Sequence, residues 1–374
     1  MKLMAQLKLL PDTEQHVSLL NTLGAANSAA NWVSAEAWTI HCFGQYALHK
    51  LYYHAVRERF GLGADLTVRV FAKVADAYKL GRKGQRIFRP YGGFPFNERL
   101  VSYKLDKKVI SIWTLSGREK VAFVAGAKQL QLLRGLRGEC DLVYRDGTFY
   151  LYQTCDVDED PEIDPVGFLG VDLGITNIAV DSDGTFHQGA SVKGIRYRHR
   201  RLRTKLQKKG THSCKRRLGR LAGKEHRFAS DTNHCISKQI VEAAKDTGRG
   251  IALENLTHIR ERVTARRGQR ATLHSWAFAQ LRQFITYKAA LAGVLMRAVD
   301  PRNTSRTCPA CGCAVKANRK TQASFSCTQC GFAGPADAIA AENIRRAAVN
   351  PPNVSDASLS SQRQGQAPTS AGSS

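Results

Sequence analysis

The chain has 374 residues, 43% of them hydrophobic, and 56 Lys and Arg against 31 Asp and Glu give it a net charge of +25. It is long enough for two or three domains with cores of their own, and too apolar for a disordered chain. No apolar run reaches membrane-spanning length and none follows a charged start as in a signal peptide, so a soluble cytoplasmic protein is expected; the positive surplus calls for a polyanionic partner, nucleic acid before a membrane surface.

In chain order, MKLMAQLKLL opens as a strand. Residues 12–80 change to helical periodicity, with apolar side chains three and four apart in LLNTLGAANSAANWVSAEAW and HKLYYHAVRERFG. Residues 85–155 alternate short β-rich runs with turns, and RDG between two Tyr-, Phe- and Val-rich runs marks a hairpin. This predicts a small barrel or sheet, with the helices inserted after its first strand. DVDEDPEIDP (156–165) reads as an acidic linker.

GFLGVDLGITNIAVDSDGTFHQG (167–189) predicts a strand, a turn at Gly174, a strand from Ile175 to Val180, and a hairpin at Asp183-Gly184 leading into a third short strand. Asp172 ends the first strand. A carboxylate among apolar neighbours is costly unless it is paired or meets a cation. By itself it fits a satisfied structural Asp beside a turn equally well.

Residues 193–227 hold fifteen Lys or Arg and one acid at largely helical spacing. With almost no acid for pairing, phosphate contact is favoured over a merely solvated face. NHCISKQIVEAAKDTG (233–248) predicts an amphipathic helix ending at glycine, and GIALENL (250–256) a buried strand carrying Glu254. Residues 276–295 predict a mostly apolar helix, and 351–374 a disordered tail.

Five of the ten cysteines fall between 308 and 330. Cys308-x-x-Cys311 and Cys327-x-x-Cys330, each followed by glycine, predict two knuckles closing a tetrahedral Zn²⁺ site; four protein ligands make that zinc structural. A redox pair is the alternative, and it does not account for the doubled motif. Cys313 is left over, and the remaining cysteines read as free thiols. Asp337, opening the helix GPADAIAAENIRRAA, is an N-cap on the simpler reading. With Asp172 and Glu254 it makes three carboxylates on separate elements. Such a set can converge on two Mg²⁺ ions about 4 Å apart for phosphodiester hydrolysis.

At this point the chain resembles the TnpB (OrfB) proteins of insertion sequences, RNA-guided DNA nucleases related to the CRISPR type V effectors. The matching pieces are GVDLGITNIAV (170–180), NHCISKQIV (233–241), ALENL (252–256), Trp276 through YKAALAG (287–293), VDPRNTSRTCPACG (299–312) and CGFAGPADAIAAENI (330–344), with MKLMAQLKLLPDTEQ and NSAANWVS near the start. The resemblance implies a multidomain α+β protein whose catalytic, Mg²⁺-binding acids are Asp172, Glu254 and Asp337 and whose zinc ligands are Cys308, Cys311, Cys327 and Cys330. It implies an OB-like wedge barrel (1–10 and 85–165), a helical recognition domain (11–84), a RuvC-like, RNase H-type mixed sheet with flanking helices (166–300 and 335–350) and a zinc ribbon engaging the target (301–334). The implied activity is cleavage of double-stranded DNA beside a short flanking motif, directed by a bound noncoding guide RNA. One departure stands out: the family usually has asparagine two residues after the last acid, where this chain has Ile339, which implies looser geometry around Asp337. The rival readings are a nuclease-inactive RNA-guided regulator, a DNA-strand transposase, and an actin-like ATPase, for which GVDLGITN fits a phosphate turn but no second glycine-rich loop is found.

Overall fold

A computed structural model of the chain describes residues 1–135, 137–174, 176–255 and 278–349. Ile175, Leu256, Trp276 and the expected tail lie outside the described residues. The chain divides into two compact units, Met1–Asp158 and Glu159–Ser374.

The first unit begins with β1 (Lys2–Leu10), whose alternate residues Ala5, Leu7 and Leu9 are buried. Asp12 then caps a helix, accepting from the Gln15 amide while the Gln15 side chain accepts from the Asp12 N–H. Three helices follow, α1 (Thr13–Thr39), α2 (Gln45–Phe60) and α3 (Ala64–Lys79). Next come β2 (Phe94–Phe96), β3 (Val101–Lys104), β4 (Val109–Thr114), β5 (Gly117–Val124), a short α4 (Ala127–Leu132), β6 (Arg137–Arg145) and β7 (Thr148–Asp156). The strands form one antiparallel sheet in the order β2-β6-β7-β1-β5-β4-β3. Among the described residues its edge strands β2 and β3 do not pair with each other. The RDG turn is a two-residue hairpin in which Asp146 and Gly147 both have positive φ. One continuous core joins the inner sheet face to α1, α2 and α3.

The second unit is built on β8 (Phe168–Asp172), β9 (Asn177–Asp181), β10 (Phe186–Gln188), β11 (Gly250–Glu254) and β12 (Met296–Val299), in the order β10-β9-β8-β11-β12. β8, β11 and β12 are parallel; β9 and β10 are antiparallel to their neighbours. Between β10 and β11 run α5 (Ala190–Lys209) and α6 (His212–Asp246), joined at Gly210, which takes a left-handed conformation, and Thr211, which caps α6. The basic stretch and the segment 233–248, read as separate pieces in the sequence, share the continuous 35-residue α6. The expected helix at 276–295 is α7 (Phe278–Leu291), so its last four residues leave the helix and form the turn that leads into β12. A two-stranded piece, β13 (Ser324–Ser326) with β14 (Ala333–Pro335), precedes α8 (Ala336–Val349).

Period-two alternation sorts the central strands. Leu169, Val171, Ile251 and Leu253 pack with residues of α6 and α7, whereas Phe168 and Ala252 pack with Ile344 and Ala348 of α8. Gly170 lies under α8. A Cβ there would collide with the Ala341 carbonyl oxygen and stand 2.5 Å from the Arg345 nitrogen, so only glycine lets the helix approach this closely.

Candidate active site

The parallel pairing of β8 with β11 sets Val171 opposite Leu253. One residue further on, at the carboxyl ends of both strands, come Asp172 and Glu254. Each shares the parity of the α8-facing residues, Gly170 and Ala252 respectively. Two carboxylates therefore end neighbouring parallel strands on the same side of the sheet, the usual location of ligand sites in such sheets.

Asp337 comes from α8. It lies in the first turn, one residue inside the helix start, so the helix does not use it as an N-cap. Ala341, Ile344 and Ala348 follow at helical spacing and carry the face that packs over Gly170, Phe168 and Ala252. The seating of α8 on β8 thus brings Asp337 to the strand ends. Asp172, Glu254 and Asp337 line one polar cavity of ≈ 230 Å³ with Thr176, Thr304, Ser305, Arg319 and Gln322. Gly174 is needed beside it because a Cβ would stand 2.7 Å from the Asn177 carbonyl oxygen.

The partners of the three acids differ. The Asn177 side-chain amide donates to Asp337 Oδ2 at 2.9 Å, and the Arg319 guanidinium stands 3.6 Å from Oδ1. The Thr304 hydroxyl donates to Glu254 Oε1. No hydrogen-bond donor reaches the Asp172 carboxylate among the described residues. Burial, and then the negative charges of Glu254 and Asp337, push Asp172 up to about 7, with Arg319 opposing. Burial also pushes Glu254 above its ordinary value, against the Thr304 hydrogen bond and Arg319. The cavity is a site of excess negative charge with oxygen donors, which suits a hard divalent cation.

The four expected cysteines do come together. Their sulfurs all lie within 4.8 Å of one another, with Cys308 and Cys330 at 3.6 Å and Cys311 and Cys327 at 3.5 Å. Tetrahedral ligation at about 2.3 Å requires a separation of roughly 3.8 Å, so the cluster fits a zinc ribbon. Gly312 and Gly331 take positive φ where each knuckle turns back. Backbone N–H groups of Cys330 and Gln329 favour the thiolate at Cys327, while the crowded neighbouring sulfurs push Cys311 and Cys330 up. Among the described residues this is the one group of three or more His, Cys, Asp or Glu side chains close enough together to hold a single metal ion. Asn318, fully buried, joins the knuckles by donating to the Cys313 and Arg306 carbonyls and accepting from the Thr328 N–H and hydroxyl. The next residue is Arg319, so the ribbon places a cation in the acidic cavity.

Two segments of the chain match known families. Residues 152–258 match a family described as a probable transposase of the OrfB_IS605 type, and residues 278–344 match a Cas12f1-like TNB domain. The chain is 26% identical over 351 residues to the CRISPR-associated endodeoxyribonuclease Cas12f1 of Sulfoacidibacillus thermotolerans, covering 80% of this chain and 81% of that one. It is 33% identical over 157 residues to a TnpB-like protein of Methanocaldococcus jannaschii, covering 41% of this chain and 56% of that one. The chain is a relative of the TnpB and Cas12f1 proteins. Its fold matches a Cas12f1 solved with sgRNA and target DNA at a TM-score of 0.59, with 17% identity, over 88% of this chain and 83% of that one. A mini-RNA-guided endonuclease, Cas_phi3, matches at 0.53 with 9% identity over 93% and 92%.

Against its TnpB relatives, the Ile339 departure now has a location. Ile339 is 5% exposed and packs with Cys308, Phe325, Cys327 and Ala336 in the core of the ribbon. It docks the ribbon onto α8 and lies outside the lining of the acidic cavity. The amide that meets Asp337 comes instead from Asn177 on β9. Asn177, Thr304 and Arg319 escaped the sequence reading of the site, although Asn177 and Thr304 lie inside family motifs and Arg319 lies between the two cysteine pairs. None has a chemistry that marks it without the fold.

Proposed function

We propose that this chain is an RNA-guided DNA endonuclease with one Mg²⁺-dependent site made by Asp172, Glu254 and Asp337. The observation that carries the reading is the convergence of these carboxylates, from two strand ends and a helix start, on one polar cavity in which Asp172 is held near neutrality. Three carboxylates on separate elements can hold a pair of divalent ions. Divalent ions bound there supply charge neutralisation for a phosphodiester and a lowered pKa for water. The chain's own residues do the rest. Asn177 and Thr304 orient Asp337 and Glu254, Arg319 offers a fixed cation for the charge that grows on phosphate, and the apolar layers of α6, α7 and α8 keep the strand ends rigid.

One structural Zn²⁺ on Cys308, Cys311, Cys327 and Cys330 would hold Arg319 and Gln322 at the site. Residues 166–300 and 335–350 then act as the RuvC-like nuclease domain and 301–334 as the target-engaging ribbon. The antiparallel sheet of the first unit, with the helices of 11–84 inserted, acts as wedge and recognition domains, the expected 85–165 segment being cut back to Asp158. A guide RNA and double-stranded DNA are the partners, as supported by the Cas12f1 neighbour solved with sgRNA and target DNA and by the endodeoxyribonuclease relatives. The exposed basic faces of α5 and α6 would lie along their phosphates.

The test is expression of the chain with its flanking DNA, sequencing of the RNA it captures, and challenge of a reprogrammed complex with a plasmid library randomised beside the target. Guide-dependent cuts that require Mg²⁺ and vanish in Asp172→Ala are expected, with RNA and DNA still bound. An Asp172→Ala variant that cuts at the wild-type rate would remove the site. A target held but never cut by wild type would leave the regulator reading standing.

A further inference from the structure

Residues 300–307 link the end of β12 to the first zinc knuckle. Within them Thr304 is 6% exposed, and its hydroxyl, which also stands 3.0 Å from the Pro301 carbonyl, donates to Glu254. The segment is held from α8. Asn343, 8% exposed, uses its side-chain nitrogen to donate to the Thr304 carbonyl at 2.7 Å and to the Thr307 carbonyl at 2.8 Å. Both amide protons are thereby used. Thr307 bridges to Ala314 across the first knuckle, and the next residue is Cys308. Asn343 lies on the same helix as Asp337, less than two turns on.

We propose that Thr304 and Asn343 are positioning residues for the divalent-ion site. Asn343 fixes the 304–307 backbone to α8, and Thr304 passes that constraint to the Glu254 carboxylate. The helix that carries Asp337 thus also sets the orientation of Glu254, and the zinc knuckle at Cys308 is tied to the same segment. Neither residue ligates an ion; each acts through Glu254. The proposal rests on the divalent-ion reading above. Partners that orient metal-ligating carboxylates are typically worth about 10–100-fold in metal affinity, because an unrestrained carboxylate loses the preset geometry. Removing Asn343 takes this donor from the buried Thr304 carbonyl and the half-buried Thr307 carbonyl, so the segment has a reason to shift.

The test is Mn²⁺ binding to the full-length, zinc-loaded, RNA-free chain, by calorimetry and by the electron paramagnetic resonance signal of free Mn²⁺. Thr304→Val removes the hydroxyl at nearly constant shape, Thr304→Ser restores it, Asn343→Leu removes the clamp, and Glu254→Gln removes the ligand. Thr304→Val and Asn343→Leu are expected to weaken Mn²⁺ about 10–100-fold, with zinc content and circular dichroism unchanged. Thr304→Ser should stay close to wild type, and the double variant should be no weaker than the worse single one. In guide-dependent cleavage, the Mg²⁺ needed for half the maximal rate should rise by the same factor, with the rate recovering at saturating Mg²⁺. Wild-type Mn²⁺ affinity in Thr304→Val and Asn343→Leu, with loss in Glu254→Gln, overturns the positioning role and leaves the metal site intact. Wild-type affinity in Glu254→Gln overturns the metal site itself. If Asn343→Leu misfolds, the Thr304→Val and Thr304→Ser pair decides alone.

Discussion

Asp172→Asn should stabilise the chain in the absence of divalent ions, and the gain should grow with pH. Asp172 is held up to about 7 by burial and by the charges of Glu254 and Asp337, whereas an unfolded Asp titrates near 3.8. Below the lower value both states are protonated and the group costs the fold nothing. Between the two values the folded state holds a proton that the unfolded state has released, so stability falls as pH rises. Above about 7 the full penalty is present. A shift of roughly three units at about 1.4 kcal/mol per unit sets an upper limit of about 4 kcal/mol. Local relaxation reduces it, so a gain of about 1–4 kcal/mol is expected for the uncharged variant at pH 8. For a unit of this size that is about 2–4 °C per kcal/mol in Tm. The assay is calorimetric unfolding of the zinc-loaded, RNA-free chain in Mg²⁺-free buffer from pH 5 to 8. Asp172→Asn should melt progressively higher than wild type as pH rises. Added Mn²⁺ should then raise wild type but not the variant, closing the gap. A gap that is flat with pH, or a variant that melts lower at pH 8, would show that Asp172 is not a crowded, desolvated carboxylate.

Gly170→Ala forces a methyl group into the backbone of α8 and should destabilise the second unit by about 3 kcal/mol or more, read as a lowered Tm. Ile339→Asn, which restores the residue usual in TnpB proteins, buries a polar amide in the ribbon core. It should speed zinc loss to a competing chelator and leave cleavage no faster than wild type. Cys308→Ser and Cys327→Ser should abolish zinc retention, measured by atomic absorption. They should lower cleavage as well, because Arg319 and Gln322 reach the cavity from the ribbon. Replacing the exposed Arg200, Arg201, Lys208 and Lys209 of α5 by Gln should weaken guide RNA binding. It should make the slope of log affinity against log salt shallower by about 0.7–0.9 for each phosphate that is no longer neutralised, measured by anisotropy across a salt series.

Much of the site was legible before any coordinate. The cysteine knuckles announce themselves because metal geometry fixes a spacing within a few residues, and Cys308, Cys311, Cys327 and Cys330 meet as the spacing demands. Asp172 and Glu254 stand out because each ends an apolar run, whereas the parallel register that sets them side by side came from the structure. The helical insertion after β1 and the hairpin at Asp146-Gly147 follow from periodicity and turn chemistry, both local properties.

The tertiary structure decided whatever depends on groups far apart in the chain. Asn177 meets Asp337 across 160 residues, and Thr304 meets Glu254 across 50. An amide or a hydroxyl has no spacing rule to betray such a partner. Ile339 reads as a flaw beside Asp337 in the sequence, yet it is a core residue of the ribbon, because one turn of α8 presents Asp337 to the cavity and Ile339 to Phe325 and the cysteines. Gly170 passes for an ordinary strand glycine until α8 is seated on it. The sequence determined which residues could carry charge, metal and core. The close approach of α8 to β8 decided which of them share one cavity, because a helix can meet a sheet at that distance only where a side chain is missing.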